Sequence, residues 1–261
     1  MSVLLLDAGN TRLKWALCNC GAFLQTGAFV YEWSALSAQF SEQWEAMVST
    51  YPIDKLVLCN VAGDRLETPL RQWLADKCKQ GGGLQETGPL TIENVVAQSQ
   101  AFGVQCAYRQ PTQLGADRWA AMVAARQQLT GDVCVIDCGT ALTIDVLSAQ
   151  GVHVGGLIAP GVTMMRQGLR ANTAGVDAQD TVVRSIFSVQ DTAGAVQAGI
   201  LAATTGAVNQ VLQQCREQEL APTCVVTGGN AQVLLASLPE GSLHDPEWVF
   251  KGLAIIADCS E

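Results

Sequence analysis

The sequence predicts an α/β protein made of two related lobes. Strand-like apolar runs alternate with stretches of helical spacing along its 261 residues. A strand that ends in Asp-x-Gly at Asp7 is repeated at Asp137, 130 residues later. A repeat at half the chain length indicates duplication of one supersecondary unit. We therefore expect two lobes facing each other, a first domain over residues 1–113 and a second over residues 114–261.

Composition excludes several classes of protein. With 49% hydrophobic and 15% charged residues, the chain can bury a large core and is not expected to be disordered. The formal charge of −9 argues against a nucleic-acid partner, which needs a basic surface. No apolar run approaches the 18 residues of a membrane span, and the N-terminus lacks the basic region of a signal peptide.

Ten cysteines are present, and four of them, Cys59, Cys134, Cys138 and Cys224, lie in or beside apolar, strand-like runs. Thiols in such positions behave as small buried hydrophobes. Without a CxxC pair and with only two histidines, a zinc cluster is not expected. The pattern is typical of a reduced, cytoplasmic protein.

In the first half, short apolar runs and helical spacings alternate. Strands are predicted at residues 3–6, 13–18, 28–31 and 55–60, with turns at Gly21 and Gly27. Helices are predicted at residues 34–49 and 65–79, and the glycines at 81–83 predict a surface loop.

From residue 114 the pattern starts again. Helices are predicted at residues 117–129, 160–171, 191–214 and 247–258. Strands are predicted at residues 132–137, 142–147, 155–158 and 223–227.

Each Asp-x-Gly turn is followed by side chains that can donate to phosphate oxygens. Asn10 and Thr11 follow the first turn, and Thr140 follows the second. Glycine lets the backbone approach an anion, and the acid can hold a cation that offsets phosphate charge. Lys14, seven residues after Asp7, is expected to reach the same phosphates. A single such turn is more simply a hairpin capped by its aspartate, but two at matching positions favour phosphoryl transfer.

A third motif lies at residues 115–118, at the start of a predicted helix. Arg118 can bind a substrate carboxylate, and Asp117 can accept a hydroxyl proton. The alternative is that Asp117 only satisfies the first N–H groups of the helix.

A fourth motif is a strand that runs into a glycine pair at residues 227–229. It would suit a nucleoside lying against bare backbone, although an ordinary strand–helix turn is the simpler alternative.

Together the motifs resemble those of type III pantothenate kinases, which belong to the acetate-kinase/sugar-kinase/heat-shock-70/actin superfamily. The resemblance covers nearly the whole chain, and it is carried by residues 7–14, 115–118, 137–141, 227–229 and 244–253. It implies two ribonuclease-H-like lobes, each a mixed sheet flanked by helices, facing across a nucleotide cleft. It also implies a homodimeric transferase that uses ATP to convert pantothenate to 4'-phosphopantothenate, the first step of coenzyme A biosynthesis.

The resemblance also implies roles for particular residues. Asp117 falls on the catalytic acid and Asp137 on the ligand of a monovalent cation, K⁺ or NH₄⁺, while Asp7 is expected to hold Mg²⁺. The implied ATP-binding residues are Asp7, Ala8, Gly9, Asn10, Thr11, Arg12, Leu13, Lys14, Thr140, Gly228 and Gly229. The implied pantothenate-binding residues are Tyr108, Gly115, Ala116, Asp117, Arg118 and Thr192, with Thr181 a less favoured alternative to Thr192.

Two other functions stay open at this point. One is a kinase or phosphatase for another small acid or sugar. The other is a nucleotide-binding accessory protein without turnover, since the family includes relatives first noticed in gene regulation. Intact Asp117 and Asp137 favour catalysis over the accessory role.

Overall fold

The computed structural model describes residues 2–79, 91–173 and 186–258. Their strands are β1 (Ser2–Ala8), β2 (Arg12–Asn19), β3 (Ala22–Val30), β4 (Lys55–Asn60), β5 (Thr91–Asn94), β6 (Gln100–Ala101), β7 (Val104–Gln105), β8 (Val133–Cys138), β9 (Ala141–Leu147), β10 (His153–Pro160), β11 (Thr223–Thr227) and β12 (Leu243–His244). Their α-helices are α1 (Leu36–Thr50), α2 (Asp64–Lys79), α3 (Ala116–Gln128), α4 (Val162–Asn172), α5 (Thr192–Glu217) and α6 (Trp248–Ile256).

Two five-stranded sheets share one connectivity. Their strand orders are β3-β2-β1-β4-β5 and β10-β9-β8-β11-β12. In each, three consecutive strands form an antiparallel meander, and two later strands continue the sheet in parallel on the other side of the first. Each sheet is mixed and flanked by helices, so the predicted class of two ribonuclease-H-like lobes is confirmed.

The first sheet packs one face against α1 and α2. Its central strand β1 is buried along its whole length, which explains its nearly continuous apolar sequence. Phe40 and Trp44 stack with ring centroids 5.0 Å apart, and Trp73 meets Trp44 edge-on at 5.6 Å. These aromatic side chains fill the core between the sheet and its helices.

The second sheet packs against α4 and α5. Cys134, Cys138 and Cys224 lie in this core, and Cys59 is buried in the first sheet, as expected for apolar thiols. The eight cysteines whose side chains the structure describes are all free thiols. Within the same ranges, no helix combines the length and the apolar character needed to cross a membrane.

The chain divides into two compact units, Met1–Gln127 with Trp248–Glu261, and Gln128–Glu247. This division differs from the expected domains 1–113 and 114–261, because α6 and nearly all of α3 belong to the first unit. Trp248 Nε1 donates to the carbonyl oxygen of Ala121 at 3.0 Å, and a Cβ at Gly252 would overlap the Ala120 carbonyl group. These contacts join two helices that are far apart in the sequence.

The strand predicted at residues 28–31 is longer in the structure. β3 begins at Ala22 and passes through Gly27, where a turn was expected. Gly27 is needed for packing instead, because a Cβ there would lie 2.6 Å from the indole ring of Trp15. The short strands β5, β6, β7 and β12 were not predicted, and the glycines at 81–83 lie outside the described residues.

Candidate active site

The first glycine turn joins β1 to β2 and is closed by its own backbone. Ala8 pairs with Leu13, and the Gly9 N–H donates to the Arg12 carbonyl oxygen at 3.1 Å. A Cβ at Gly9 would meet only that oxygen, at an ordinary contact distance of 3.4 Å. The folded chain therefore has space for a side chain at position 9, and because glycine has none, this space beside the backbone of the turn stays empty.

Asp7 lies at the end of β1 and is 7% exposed. It is the direct cross-strand neighbour of Lys14, whose Nζ lies 3.4 Å from Asp7 Oδ2. The two charges offset each other next to the turn, so the predicted acid and the predicted phosphate-binding lysine are close together.

A third side chain, Tyr31, contacts the turn. Its hydroxyl donates to the Gly9 carbonyl oxygen at 2.9 Å, although Tyr31 follows β3 and carries no motif. Sequence reasoning missed this residue, since nothing local distinguishes it from a core tyrosine.

The motif at residues 115–118 forms the first turn of α3. The Trp119 N–H donates to the Gly115 carbonyl oxygen at 3.0 Å, and Asp117 Oδ1 accepts the Arg118 N–H at 2.8 Å. A Cβ at Gly115 would lie 2.5 Å from Asp117 Oδ1. Glycine at this position therefore makes room for the Asp117 carboxylate.

Arg118 is buried and contacts Tyr108. Its Nη1 donates to the Tyr108 hydroxyl at 2.9 Å, and its guanidinium carbon lies 5.8 Å from the centre of the Tyr108 ring. A buried guanidinium held by a phenol is well suited to bind a carboxylate, because its planar donors are already oriented. The two residues predicted to contact the acidic substrate are therefore neighbours.

Asp117 and Asp7 influence each other although 110 positions separate them in the sequence. The pKa of Asp117 is raised, mainly by burial and secondly by the negative charge of Asp7. The hydrogen bond from the Arg118 N–H and the charge of Arg118 lower this pKa, but by a smaller amount. Within the first unit, the predicted base is thus in electrostatic range of the acid that precedes the predicted phosphate turn. This proximity is the main feature of the candidate active site.

The second glycine turn follows β8 in the second unit. The Gly139 N–H donates to the Ala141 carbonyl oxygen at 3.0 Å, and the Asn230 N–H donates to the Cys138 carbonyl oxygen at 2.9 Å. Asp137 at the end of β8 is half-buried. Burial of the Cys138 thiol, and to a lesser degree the negative charge of Asp137, raise the pKa of that thiol to about 11. Thr140 at the tip of the turn is exposed.

The glycine pair at the end of β11 packs against this turn. Thr227 is in register with Asp137, and Gly228 follows with a φ of +92°. A Cβ at Gly228 would overlap Asp137 Oδ1 and lie 2.6 Å from the Cys138 carbonyl carbon. Gly228 is therefore required both by its left-handed backbone and by its closeness to Asp137.

The connection from β10 to α4 also contacts the second turn, which sequence reasoning missed. The Gly161 N–H donates to the Thr140 carbonyl oxygen at 3.1 Å, and a Cβ at Gly161 would lie 2.5 Å from the Gly139 carbonyl oxygen. The only sequence signal was a Pro-Gly pair between a strand and a helix.

Thr192 is the first residue of α5, and Asp191 caps this helix by accepting the Gly194 N–H at 2.7 Å. Thr192 lines an open apolar groove between α4 and α5, together with Met165 and Leu169. The alternative Thr181 lies outside the described residues.

Among the described residues, no group of three or more histidine, cysteine or acidic side chains could enclose a metal ion. Each glycine turn instead carries one carboxylate at its strand end, Asp7 or Asp137. Single carboxylates of this kind fit Mg²⁺ in a nucleotide site, where most other ligands are phosphates and waters.

Comparison with solved structures agrees with this fold. A protein of Campylobacter jejuni assigned to the Baf family of transcriptional activators superposes with a TM-score of 0.60, at 20% identity, over 98% of this chain and 97% of that one. A Sinorhizobium meliloti protein assigned as a 2-dehydro-3-deoxygalactonokinase gives 0.59, at 14% identity, over 98% of both chains. At these identities the likeness concerns the fold alone.

Comparison of sequences is more specific. Residues 3–214 match the family model of type III pantothenate kinase. The type III pantothenate kinase of Nitrosococcus oceani is 33% identical over 98% of this chain and 93% of its own length. That of Azoarcus sp. is 36% identical over 98% and 90%. Because the family model spans residues 3–214 and these relatives match at 33–36% identity along nearly the whole chain, this chain belongs to the type III pantothenate kinase family.

Proposed function

We propose that this protein transfers the γ-phosphoryl group of ATP to the primary hydroxyl of pantothenate, forming 4'-phosphopantothenate and ADP at the start of coenzyme A biosynthesis. Family membership supports the substrate pair. The observation that carries the chemistry is the buried carboxylate of Asp117, which the Arg118 N–H holds at 2.8 Å and whose pKa is raised by burial and by the charge of Asp7.

In this mechanism Asp117 orients the pantothenate hydroxyl and accepts its proton as the oxygen attacks the γ-phosphate in line. A proton acceptor at this step typically contributes about 10²–10⁴-fold to the rate. Arg118, held by Tyr108 at 2.9 Å, binds the pantothenate carboxylate, and residues 115–118 form the wall around it. Thr192 is proposed as a further contact to the same substrate.

The two glycine turns bind ATP. Backbone N–H groups at residues 10–11 and 140 stabilise charge that develops on the transferred phosphoryl group, while those of Gly9 and Gly139 close the turns by donating to the Arg12 and Ala141 carbonyl oxygens. Lys14 and Thr140 assist by donating to phosphate oxygens. The remaining residues of the first motif, Ala8, Arg12 and Leu13, shape its turn. Gly228 and Gly229 let the nucleoside lie against backbone.

Asp7 would hold Mg²⁺, and Asp137 a monovalent cation, K⁺ or NH₄⁺. Both fit as oxygen ligands, since each carboxylate ends a strand directly before a glycine turn. When bound, these ions supply positive charge that offsets the phosphates.

The proposal includes a cytoplasmic homodimer. Exposed apolar side chains, among them Met164 on α4 and Ile186 before α5, support a contact between copies, since large apolar groups are usually covered. Light scattering would give the oligomeric state.

The central test is an assay of purified protein with ATP, Mg²⁺ and pantothenate, with and without K⁺, in which phosphopantothenate is measured directly. We expect product only with all substrates and more of it with K⁺. A panel of hydroxy acids and sugars in place of pantothenate tests the other kinase activities. No phosphorylated product at saturating ATP would contradict the proposal and favour the accessory role.

A further inference from the structure

Tyr31 is a buried aromatic side chain that reaches the first glycine turn from outside its motif. Its ring is 8% exposed and packs against Trp33, with centroids 4.4 Å apart, and edge-on against Phe29 at 6.4 Å. The guanidinium of Arg65 lies 4.0 Å from the centre of the Trp33 ring. These contacts restrict the ring, so the hydroxyl has a defined position.

From that position the Tyr31 hydroxyl donates to the Gly9 carbonyl oxygen at 2.9 Å. The Gly9 N–H is held as well, by the Arg12 carbonyl oxygen at 3.1 Å. The N–H and the C=O of Gly9 are therefore both held by hydrogen bonds, although glycine is the residue with the greatest backbone freedom.

Fixing the Gly9 carbonyl also fixes the next N–H group. A trans peptide is planar, with its C=O and N–H on opposite sides, so the Asn10 N–H points away from Tyr31. Asn10 and Thr11 are exposed, so the turn faces solvent on that side.

The tyrosine keeps its proton near neutral pH, since even an ordinary tyrosine has a pKa of about 10. Burial, and then the charge of Asp7, raise the pKa of Tyr31 above its ordinary value. The hydroxyl is thus a permanent donor, and the carbonyl is its acceptor.

We propose that Tyr31 is a positioning residue for ATP, which holds the Gly9 carbonyl so that the Asn10 N–H is directed at the bound phosphates before ATP arrives. The inference rests on the proposed kinase function and assigns to Tyr31 a part of its phosphate site. Preorganised N–H donors bind anions more tightly than mobile ones because less freedom is lost on binding.

The test is Tyr31→Phe, which keeps the ring and removes only the hydroxyl. Ser41→Ala is the matched control, because it removes the acceptor of another part-buried side-chain hydrogen bond in the same unit, from Trp73 Nε1 at 2.9 Å. For Tyr31→Phe we expect the Kd of Mg-ATP, measured calorimetrically without pantothenate, and the KM for ATP to rise about three- to tenfold. The KM for pantothenate should stay within about twofold, and Ser41→Ala should change neither constant for ATP.

An unchanged Kd and KM for ATP in Tyr31→Phe, with wild-type protein active, would overturn this inference and leave the proposed function intact. Equal changes in both variants would also overturn it, because they would show a general loss of stability. Wild-type protein that binds Mg-ATP but forms no phosphopantothenate would contradict the proposed function instead, and the binding arm would still test Tyr31. If Tyr31→Phe melts early, the comparison is made at a temperature where both variants are folded.

Discussion

At the scale of single residues, Asp117 lies where its charge is unfavourable. Burial and the nearby Asp7 both disfavour the ionised form, and the Arg118 N–H offsets only part of this cost. Such a carboxylate reduces stability but gains basicity, which a proton acceptor needs. Function and stability therefore oppose each other at this position.

Replacing Asp117 with Asn separates the two effects. We expect kcat to fall by at least about 10²-fold because the proton acceptor is lost, while Mg-ATP still binds. The melting temperature at neutral pH should not fall, because an unfavourable buried charge is removed. Steady-state kinetics and thermal melts check this, and near-normal turnover would show that Asp117 is not the base.

The pH dependence has a definite sign. Since the pKa of Asp117 is raised, the acid limb of kcat should lie above the ordinary Asp value of about 3.9. In the window between the ordinary and the raised pKa, the folded protein holds a proton that the unfolded chain has released. The free energy of unfolding from this group therefore falls as pH rises through that window.

Melts of wild type and Asp117→Asn across this pH range measure the effect. The melting temperature of the variant relative to wild type should increase as pH rises. A difference that stays constant or decreases would contradict the assigned pKa shift.

Gly115 gives an independent test of the same carboxylate. A Cβ at this position would lie 2.5 Å from Asp117 Oδ1, so Gly115→Ala must displace the acid. We expect kcat to fall by about tenfold or more with little change in the KM for ATP, since a small misplacement of a reacting group is costly. A kcat equal to that of wild type would show that the carboxylate position is not critical.

At the scale of elements, glycines hold the second turn together. Gly161 and Gly228 bring the backbones of β10–α4 and β11 against residues 137–140, at distances that leave no space for a methyl group. Helical Gly206 differs, because a Cβ there would meet nothing within 4 Å. The same residue type is therefore required in the turn and dispensable in α5.

Gly161→Ala and Gly206→Ala form a matched pair. The first should lower the free energy of unfolding by about 1–3 kcal/mol, since a methyl group is forced against the Gly139 and Thr140 carbonyl groups, and should raise the KM for ATP. The second should raise the free energy of unfolding by roughly 0.5–1 kcal/mol. Urea unfolding and ATP titrations check both, and equal effects would contradict the packing argument.

At the scale of the whole molecule, chain order and compact unit do not coincide. α6 ends the described chain but belongs to the first unit through Trp248 and Gly252, which contact α3. The helix that carries Asp117 is thus supported by residues that come after the entire second unit. The end of the chain contributes to positioning the candidate base.

Trp248→Phe tests this support. Loss of the hydrogen bond to the Ala121 carbonyl oxygen and of indole volume should cost about 1–3 kcal/mol. In native-state hydrogen exchange, α3 and α6 should lose protection, while β8 and β9 keep theirs. Faster exchange confined to β8 and β9 would show that α6 does not stabilise the first unit.

The sequence by itself determined the two-lobe α/β class, the repeated Asp-x-Gly turns and the family, because strands, turns and motifs are patterns of neighbouring residues. The tertiary structure alone decided that Asp117 is buried within electrostatic range of Asp7, that Tyr31 holds Gly9 and that Gly161 packs on the second turn. It also decided that α6 belongs with the first unit and that Gly27 lies within a strand. These features depend on side chains and backbones that pack together from distant parts of the chain. Such contacts cannot be predicted from the spacing of residues that are close in sequence.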